Sequence, residues 1–141
     1  MSRSKPVVHV VEDSNDDFIA FERACKRQHL DVTLVRFSNA DAAREAIWAL
    51  AGSPDLWPTL ILLDLNLPGT NGRDFLTELK GHDELRRIPV VIYSTSSDPS
   101  DVRFSFEHHA NAYHTKPVAF SQMQLELRDM IHYWTQRVAR E

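Results

Sequence analysis

Four short apolar runs in this chain each lead directly into residues that can do chemistry. "PVVHVV" at 6–11 stops at Glu12-Asp13, "TLILLD" at 59–64 ends on Asp64, "IPVVIYS" at 88–94 opens into the hydroxyl cluster Ser94-Thr95-Ser96, and "NAYHT" at 111–115 precedes Lys116-Pro117. A carboxylate at the edge of a core is costly to desolvate, so it is paired, metal-bound or used. Carboxylates a few ångströms apart repel one another, and a hard divalent cation such as Mg2+ relieves that repulsion while leaving positions open for substrate oxygens. A central Asp64 can then serve as a nucleophile and form an acyl phosphate, with Lys116 offering a point charge and Ser94 a hydroxyl to the phosphoryl oxygens.

That chemistry requires the four runs to end at one place. Their β-branched, continuous apolar character is that of strands buried in a parallel sheet, and "VTLVRF" at 32–37 reads as another. Helical patterns fill the intervals. Ser14 or Asn15 can cap a helix with Asp16 and Asp17 in its first turn and Phe18, Phe21 and Cys25 on one face. Ser38 or Asn39 can cap a second, with Ala43, Ala46, Ile47 and Leu50 inward. A loop over 65–71 carries Pro68 and Gly69, and residues 72–80 form a short helix with Phe75, Leu76 and Leu79 apolar. Pro99 suits the start of a fourth helix facing inward through Val102, Phe106 and His109-Ala110. The last, from about residue 119, has Phe120, Met123, Leu127, Met130, Ile131, Trp134 and Val138 along one stripe. Strand and helix alternate five times, which predicts a doubly wound α/β fold: a five-stranded parallel sheet with helices on both faces. In such sheets the functional crevice lies beyond the carboxyl ends of the strands, where all four chemical stretches sit.

Composition narrows the functions open to such a domain. With 141 residues the chain is expected to form one domain, 1–141, with no output domain of its own. A formal charge of −4 argues against a general nucleic-acid binder. The lone Cys25 cannot form an intrachain disulfide, and neither a signal-peptide core nor a membrane-length apolar run is present, which predicts a cytoplasmic protein.

The order Glu12-Asp13, Asp64, Ser94, Lys116-Pro117, set in "LLDLNLPGTNG", "IPVVIYSTSS" and "NAYHTKP", resembles the response-regulator receiver domains over residues 5 to 138. The resemblance implies the flavodoxin-like strand order 2-1-3-4-5 and a phosphoacceptor role for Asp64, with a sensor histidine kinase as donor. It implies Mg2+ held by Asp13, Asp64 and the backbone carbonyl of Asn66, with Glu12 acting nearby or through water. Ser94, Thr95 and Lys116 would bind the phosphoryl oxygens, Lys116-Pro117 would carry a cis peptide, and Tyr113 would move as a switch when Ser94 closes on the phosphoryl group. Glu12 stands where many members have Asp, and Ser94 where many have Thr; neither change removes a needed group. "STSSDPSDV", "GSPDLWPTLILLDLNLPG" and "IHYW" are further similar to the stand-alone regulators that partner phytochrome kinases, which implies a phytochrome as the upstream kinase.

Each residue also has a plainer reading. Asp64 alone would be a turn cap, and Lys116 alone an exposed lysine; the joint pattern carries the site. His108 and His109 are adjacent and point to different sides of a helix, so they do not suggest a metal pair. His9 reads as packed and neutral, and Cys25 as a small core residue. Phe104 and Tyr133 fall off the expected inward stripes, which marks them as a contact face for a partner or a homodimer. An aspartyl phosphatase would want a second carboxylate two residues after Asp64, where Asn66 cannot transfer a proton. That leaves self-catalysed phosphoryl transfer and slow loss of the group rather than an independent enzyme. A flavin-phosphate binder would want a Gly- and hydroxyl-rich loop in place of "EDSNDD". A receiver kept as an unphosphorylated interaction module would be expected to lack part of the acidic and lysine set. A phosphoryl shuttle to a histidine phosphotransfer protein fits the same residues as the switch.

Overall fold

The computed structural model describes residues 5–67 and 71–137, the Arg137 side chain excepted. Five strands, β1 (Val7–Val11), β2 (Thr33–Phe37), β3 (Leu60–Leu63), β4 (Val90–Ser94) and β5 (Ala112–Thr115), alternate with helices α1 (Asn15–Arg27), α2 (Ala40–Trp48), α3 (Gly72–Gly81), α4 (Pro99–Glu107) and α5 (Phe120–His132). All neighbouring strands are parallel, in the order β2-β1-β3-β4-β5, as expected. Because β2 lies on one side of β1 and β3 on the other, the connections leave β1 in opposite directions. A crevice opens there, above the carboxyl ends of β1 and β3.

Strand periodicity divides the core into two layers. Val8, Val10, Leu60, Leu62, Val91 and Tyr93 face α1 and α5, where they meet Ala20, Phe21, Ala24, Met123, Leu127 and Met130. Val11, Ile61, Leu63, Val90 and Ile92 face the other way, against Ala43, Ile47, Phe75, Leu76 and Leu79 of α2 and α3. Removing both faces of β3 from water explains why its run "LILL" is apolar without alternation. Polar residues cap α1 to α4, whereas α5 follows Ala119 without a side-chain cap. Ser14 accepts from the Asp17 amide, Asn39 from Ala42, Asn71 from Arg73 and Asp74, and Asp98 from Ser100. Among the described residues no helix is long and apolar enough to cross a membrane.

Three expectations about helix faces fail. Phe106 is 51% exposed, while Phe104 is half-buried against the core and stacked on His108. The centre of the α4 contact is the buried Ser105, whose hydroxyl donates to the Asp101 carbonyl and so needs no apolar partner. A stripe drawn through the bulkiest side chain therefore lies about one residue out of phase, and His109 is likewise exposed with a left-handed backbone, φ 69°. Phe120 is the first residue of α5 and is 44% exposed. Tyr133 is exposed as expected, at the start of a π-helical turn, Tyr133–Arg137. The exposed aromatics of these two helices thus include Phe106 and Tyr133, and the contact face drawn from Phe104 loses that member. Val138, Pro68 and Gly69 lie outside the described residues.

His9 is buried in β1 with its ring edge against Phe37 at 5.1 Å, and its Nδ1 has no hydrogen-bond partner. Burial lowers its pKa from 6.5 to about 4. Below pH 6.5 the unfolded chain takes up a proton that the folded chain refuses, so stability falls as pH drops from 6.5 towards 4. The expected loss is up to about 3 kcal/mol. Urea unfolding at the two pH values, compared between wild type and His9→Leu, measures it; an equal pH dependence in both proteins would refute the assignment.

Candidate functional site

The backbone ladder continues past the ends of the strands and fixes the polar residues there. The Glu12 amide donates to the Phe37 carbonyl at 2.9 Å, the Asp64 amide to Val11 at 3.1 Å, and the Lys116 amide to Ser94 at 2.7 Å. These bonds place Glu12, Asp64 and Lys116 side by side over the crevice. Gly72 allows α3 to start directly against this rim: a Cβ there would come within 2.8 Å of the Asp64 carbonyl oxygen.

Lys116 is the centre of the arrangement. Its ammonium donates to Glu12 Oε1 at 2.5 Å, to Asp17 Oδ2 at 2.8 Å and to Asp64 Oδ2 at 3.2 Å, using all three of its protons. Glu12, Asp64 and Lys116 are all buried. Burial alone would lower the lysine pKa, but the hydrogen bonds of Asp17 and Glu12 reverse the effect and hold it above the ordinary value. Burial pushes the Glu12 carboxyl up, opposed by the hydrogen bond and charge of Lys116. The second Glu12 oxygen accepts the Ser14 amide at 3.0 Å, and Asp64 Oδ1 accepts the Asn66 amide at 2.9 Å.

Glu12, Asp13 and Asp64 each bring one carboxylate oxygen to within 4.8 Å of the others, with Asp13 exposed at the mouth. A single ammonium faces this cluster, so several negative charges remain for a hard cation to neutralise, and the all-oxygen donors fit a divalent metal ion. Ser94 is fully buried beside the cluster, its Oγ accepting from the Asn66 side chain and from the Ser96 amide, both at 3.2 Å. Thr95 is exposed. Tyr113 is half-buried, and its hydroxyl donates to the Ser96 carbonyl at 2.7 Å.

The structure thus brings Glu12, Asp13, Asp64, Asn66, Ser94, Tyr113 and Lys116 to one rim. It also adds members that the sequence reading missed. Local pattern places Asp17 only in the first turn of α1, yet its carboxylate accepts from the Lys116 ammonium over the same end of the sheet. Arg73 of α3 pairs with Asp101 of α4, which in turn accepts from Ser96 Oγ at 2.6 Å. The Ser96 hydrogen bond and then the Arg73 pairing hold the Asp101 carboxyl below its ordinary pKa. No local pattern announces this link, because its partners lie 28 and 5 residues apart. One expectation is corrected: the described chain has no cis peptide, so Lys116-Pro117 is trans. Trans is the lower-energy isomer even before proline, and Lys116 reaches all three carboxylates with it.

A three-carboxylate cluster with a lysine and a serine thus lies at the switch point of a five-stranded parallel sheet. The family model for the response regulator receiver domain matches residues 8–128, and the chain belongs to that family. Response regulator Rcp1 of Synechocystis is 34% identical over 140 residues, covering 97% of this chain and 94% of Rcp1. The crystal structure of the Mn2+-bound form of Rcp1 aligns with a TM-score of 0.85 over 96% of this chain and 99% of that one. The phosphorylated cyanobacterial phytochrome response regulator RcpA aligns with the same TM-score at 30% identity, over 96% and 98% of the two chains. The protein is therefore a receiver-domain response regulator.

Removing Lys116 should expose how much the buried carboxylates depend on it. Lys116→Met leaves Glu12 buried without a cation and is expected to cost about 3–5 kcal/mol in urea unfolding, with the Glu12→Gln/Lys116→Met double variant recovering most of that. A single variant as stable as wild type would show that the carboxylates do not need the ammonium.

Proposed function

We propose that the protein accepts a phosphoryl group on Asp64 from the phosphohistidine of a sensor histidine kinase, with Mg2+, and that this kinase is a phytochrome. The observation that carries the reading is the Lys116 ammonium lodged between Glu12 and Asp64 beside the acidic cluster. One Asp64 carboxylate oxygen forms the new O–P bond as the P–N bond of the phosphohistidine breaks, and the electron pair returns to the imidazole. Asp13, Asp64 and the backbone carbonyl of Asn66 would hold Mg2+, with Glu12 acting nearby or through water, and the ion supplies positive charge to the phosphoryl oxygens. Lys116 is already within reach of Asp64 and would donate a charged hydrogen bond to a phosphoryl oxygen without crossing the site. Ser94 and Thr95 lie on the facing loop, where a hydroxyl and a backbone amide serve the remaining oxygens.

Phosphorylation adds roughly 1.5 to 2 negative charges at this rim, and the Ser94 loop has a defined set of bonds to exchange in response. Ser94 turning to the phosphoryl group releases Asn66 and the Ser96 amide; the Ser96 carbonyl holds the Tyr113 hydroxyl, which links the tyrosine to the same rearrangement. The output is then a binding event on the surface around α4 and β5. The phytochrome assignment rests on the likeness to RcpA, a phytochrome response regulator by its own description.

Intact-protein mass after incubation with acetyl phosphate tests the core of the proposal. A single added phosphoryl group is expected in wild type with Mg2+, and none without Mg2+ or in Asp64→Asn. No adduct in wild type, with a beryllofluoride binding control also negative, would turn the reading to an unphosphorylated interaction module. Phosphoryl transfer from an autophosphorylated phytochrome should outpace transfer from unrelated histidine kinases; equal rates would remove the phytochrome assignment.

A further inference from the structure

Arg36 sits at the carboxyl end of β2, opposite Val10 in register, and its guanidinium turns towards the loop that carries the acidic residues. Its Nε donates to the Glu12 carbonyl at 3.0 Å, one terminal nitrogen to the Asp13 carbonyl at 2.9 Å and the other to Asn15 Oδ1 at 2.6 Å. The plane lies 5.4 Å from the Phe18 ring centroid, so the fork is held from a second side. The next residue, Phe37, accepts the Glu12 amide. The end of β2 therefore grips Glu12 by both its N–H and its C=O and grips Asp13 by its C=O.

Among the described residues the guanidinium makes no ion pair with Glu12, Asp13 or Asp64. It binds their main chain, and the carboxylates are left to point into the crevice. We infer that Arg36 is a positioning residue of the metal and phosphoryl site: its fork fixes the backbone of the β1–α1 turn and thereby aims Glu12 and Asp13 at Asp64. The inference rests on the proposal that the acidic cluster holds a divalent cation. It goes beyond that proposal by assigning the geometry of the cluster to a residue on a different strand that touches neither metal nor phosphoryl group.

Charge and geometry make opposite predictions, which allows a clean test. A positive charge near a cation site repels the cation, so deleting it tightens metal binding if charge is all that Arg36 contributes. Loss of an outer support that orients ligands weakens metal binding, typically tenfold or more. Arg36→Met keeps an unbranched apolar side chain and removes charge and fork together; Arg36→Lys keeps the charge and loses the fork. Asn15→Ala removes one arm of the clasp without changing charge.

The experiment is titration of the full chain with Mn2+ by isothermal calorimetry at 25 °C, with circular dichroism confirming that each metal-free variant is folded at that temperature. Wild type is expected to bind one Mn2+. Arg36→Met and Arg36→Lys should each weaken it by roughly tenfold, and Asn15→Ala by roughly two- to threefold. Binding by Arg36→Met as tight as wild type or tighter, or wild-type affinity in Arg36→Lys, would overturn the positioning role while leaving the metal site intact. If Arg36→Met does not fold, Arg36→Lys and Asn15→Ala decide the matter by the same criterion. A wild type that binds no Mn2+ would overturn the metal reading and this inference with it.

Discussion

A buried ammonium that must find three acceptors organises this molecule. Lys116 follows the outermost strand β5, yet its partners lie on β1, α1 and β3. No hydrophobic contact could impose the same constraint, because apolar packing is non-directional and tolerates sliding, whereas a desolvated charge left unpaired costs several kcal/mol. The lysine therefore locks the relative heights of the strand ends. It also compensates Glu12, which the fold buries almost completely and which water could otherwise serve.

The same rim carries a second, weaker set of bonds that faces outward. Asn66 and the Ser96 amide meet at Ser94 Oγ, Ser96 meets Tyr113 through its carbonyl and Asp101 through its hydroxyl, and Asp101 meets Arg73. Charge is concentrated at one end of this set, in the Arg73–Asp101 pair, and the rest consists of neutral hydroxyl and amide groups that can exchange partners at modest cost. The lysine cluster is held by charge-assisted bonds, and the adjacent loop by neutral ones that are individually cheap to replace. Through Arg73, Asp101 and Tyr113 this set reaches α3, α4 and β5.

The support of the acidic loop follows the same logic from the opposite edge. Glu12 and Asp13 end a strand and start a turn, where the backbone has no ladder of its own to continue. β2 supplies what is missing through the Phe37 carbonyl and the Arg36 fork. The crevice is thus framed by β2 on one side and β5 on the other, while the chemistry sits over β1 and β3.

Much of this was legible in the sequence, for identifiable reasons. Continuous apolar runs such as "LILL" and the Ser14 and Asn39 caps depend on local preferences, so strands, helices and their alternation follow from residue order, and alternation forces a parallel sheet. Chemistry at the strand ends was legible because Glu12-Asp13, Asp64, Ser94 and Lys116 each directly follow or end a strand run. Side-chain partnership was not legible. Asp17 on Lys116, Arg36 on the Glu12 and Asp13 carbonyls and Arg73 on Asp101 join residues from 23 to 99 positions apart. The face of α4 was misread for the same reason: a nine-residue helix buries Ser105 by satisfying its hydroxyl internally, and nothing in its own sequence says that Phe106 stays outside. Sequence determined the elements and the chemical groups at their ends, because both are set within a few residues; only tertiary structure decided which charge meets which, because burial and hydrogen-bond geometry exist only once distant segments are packed.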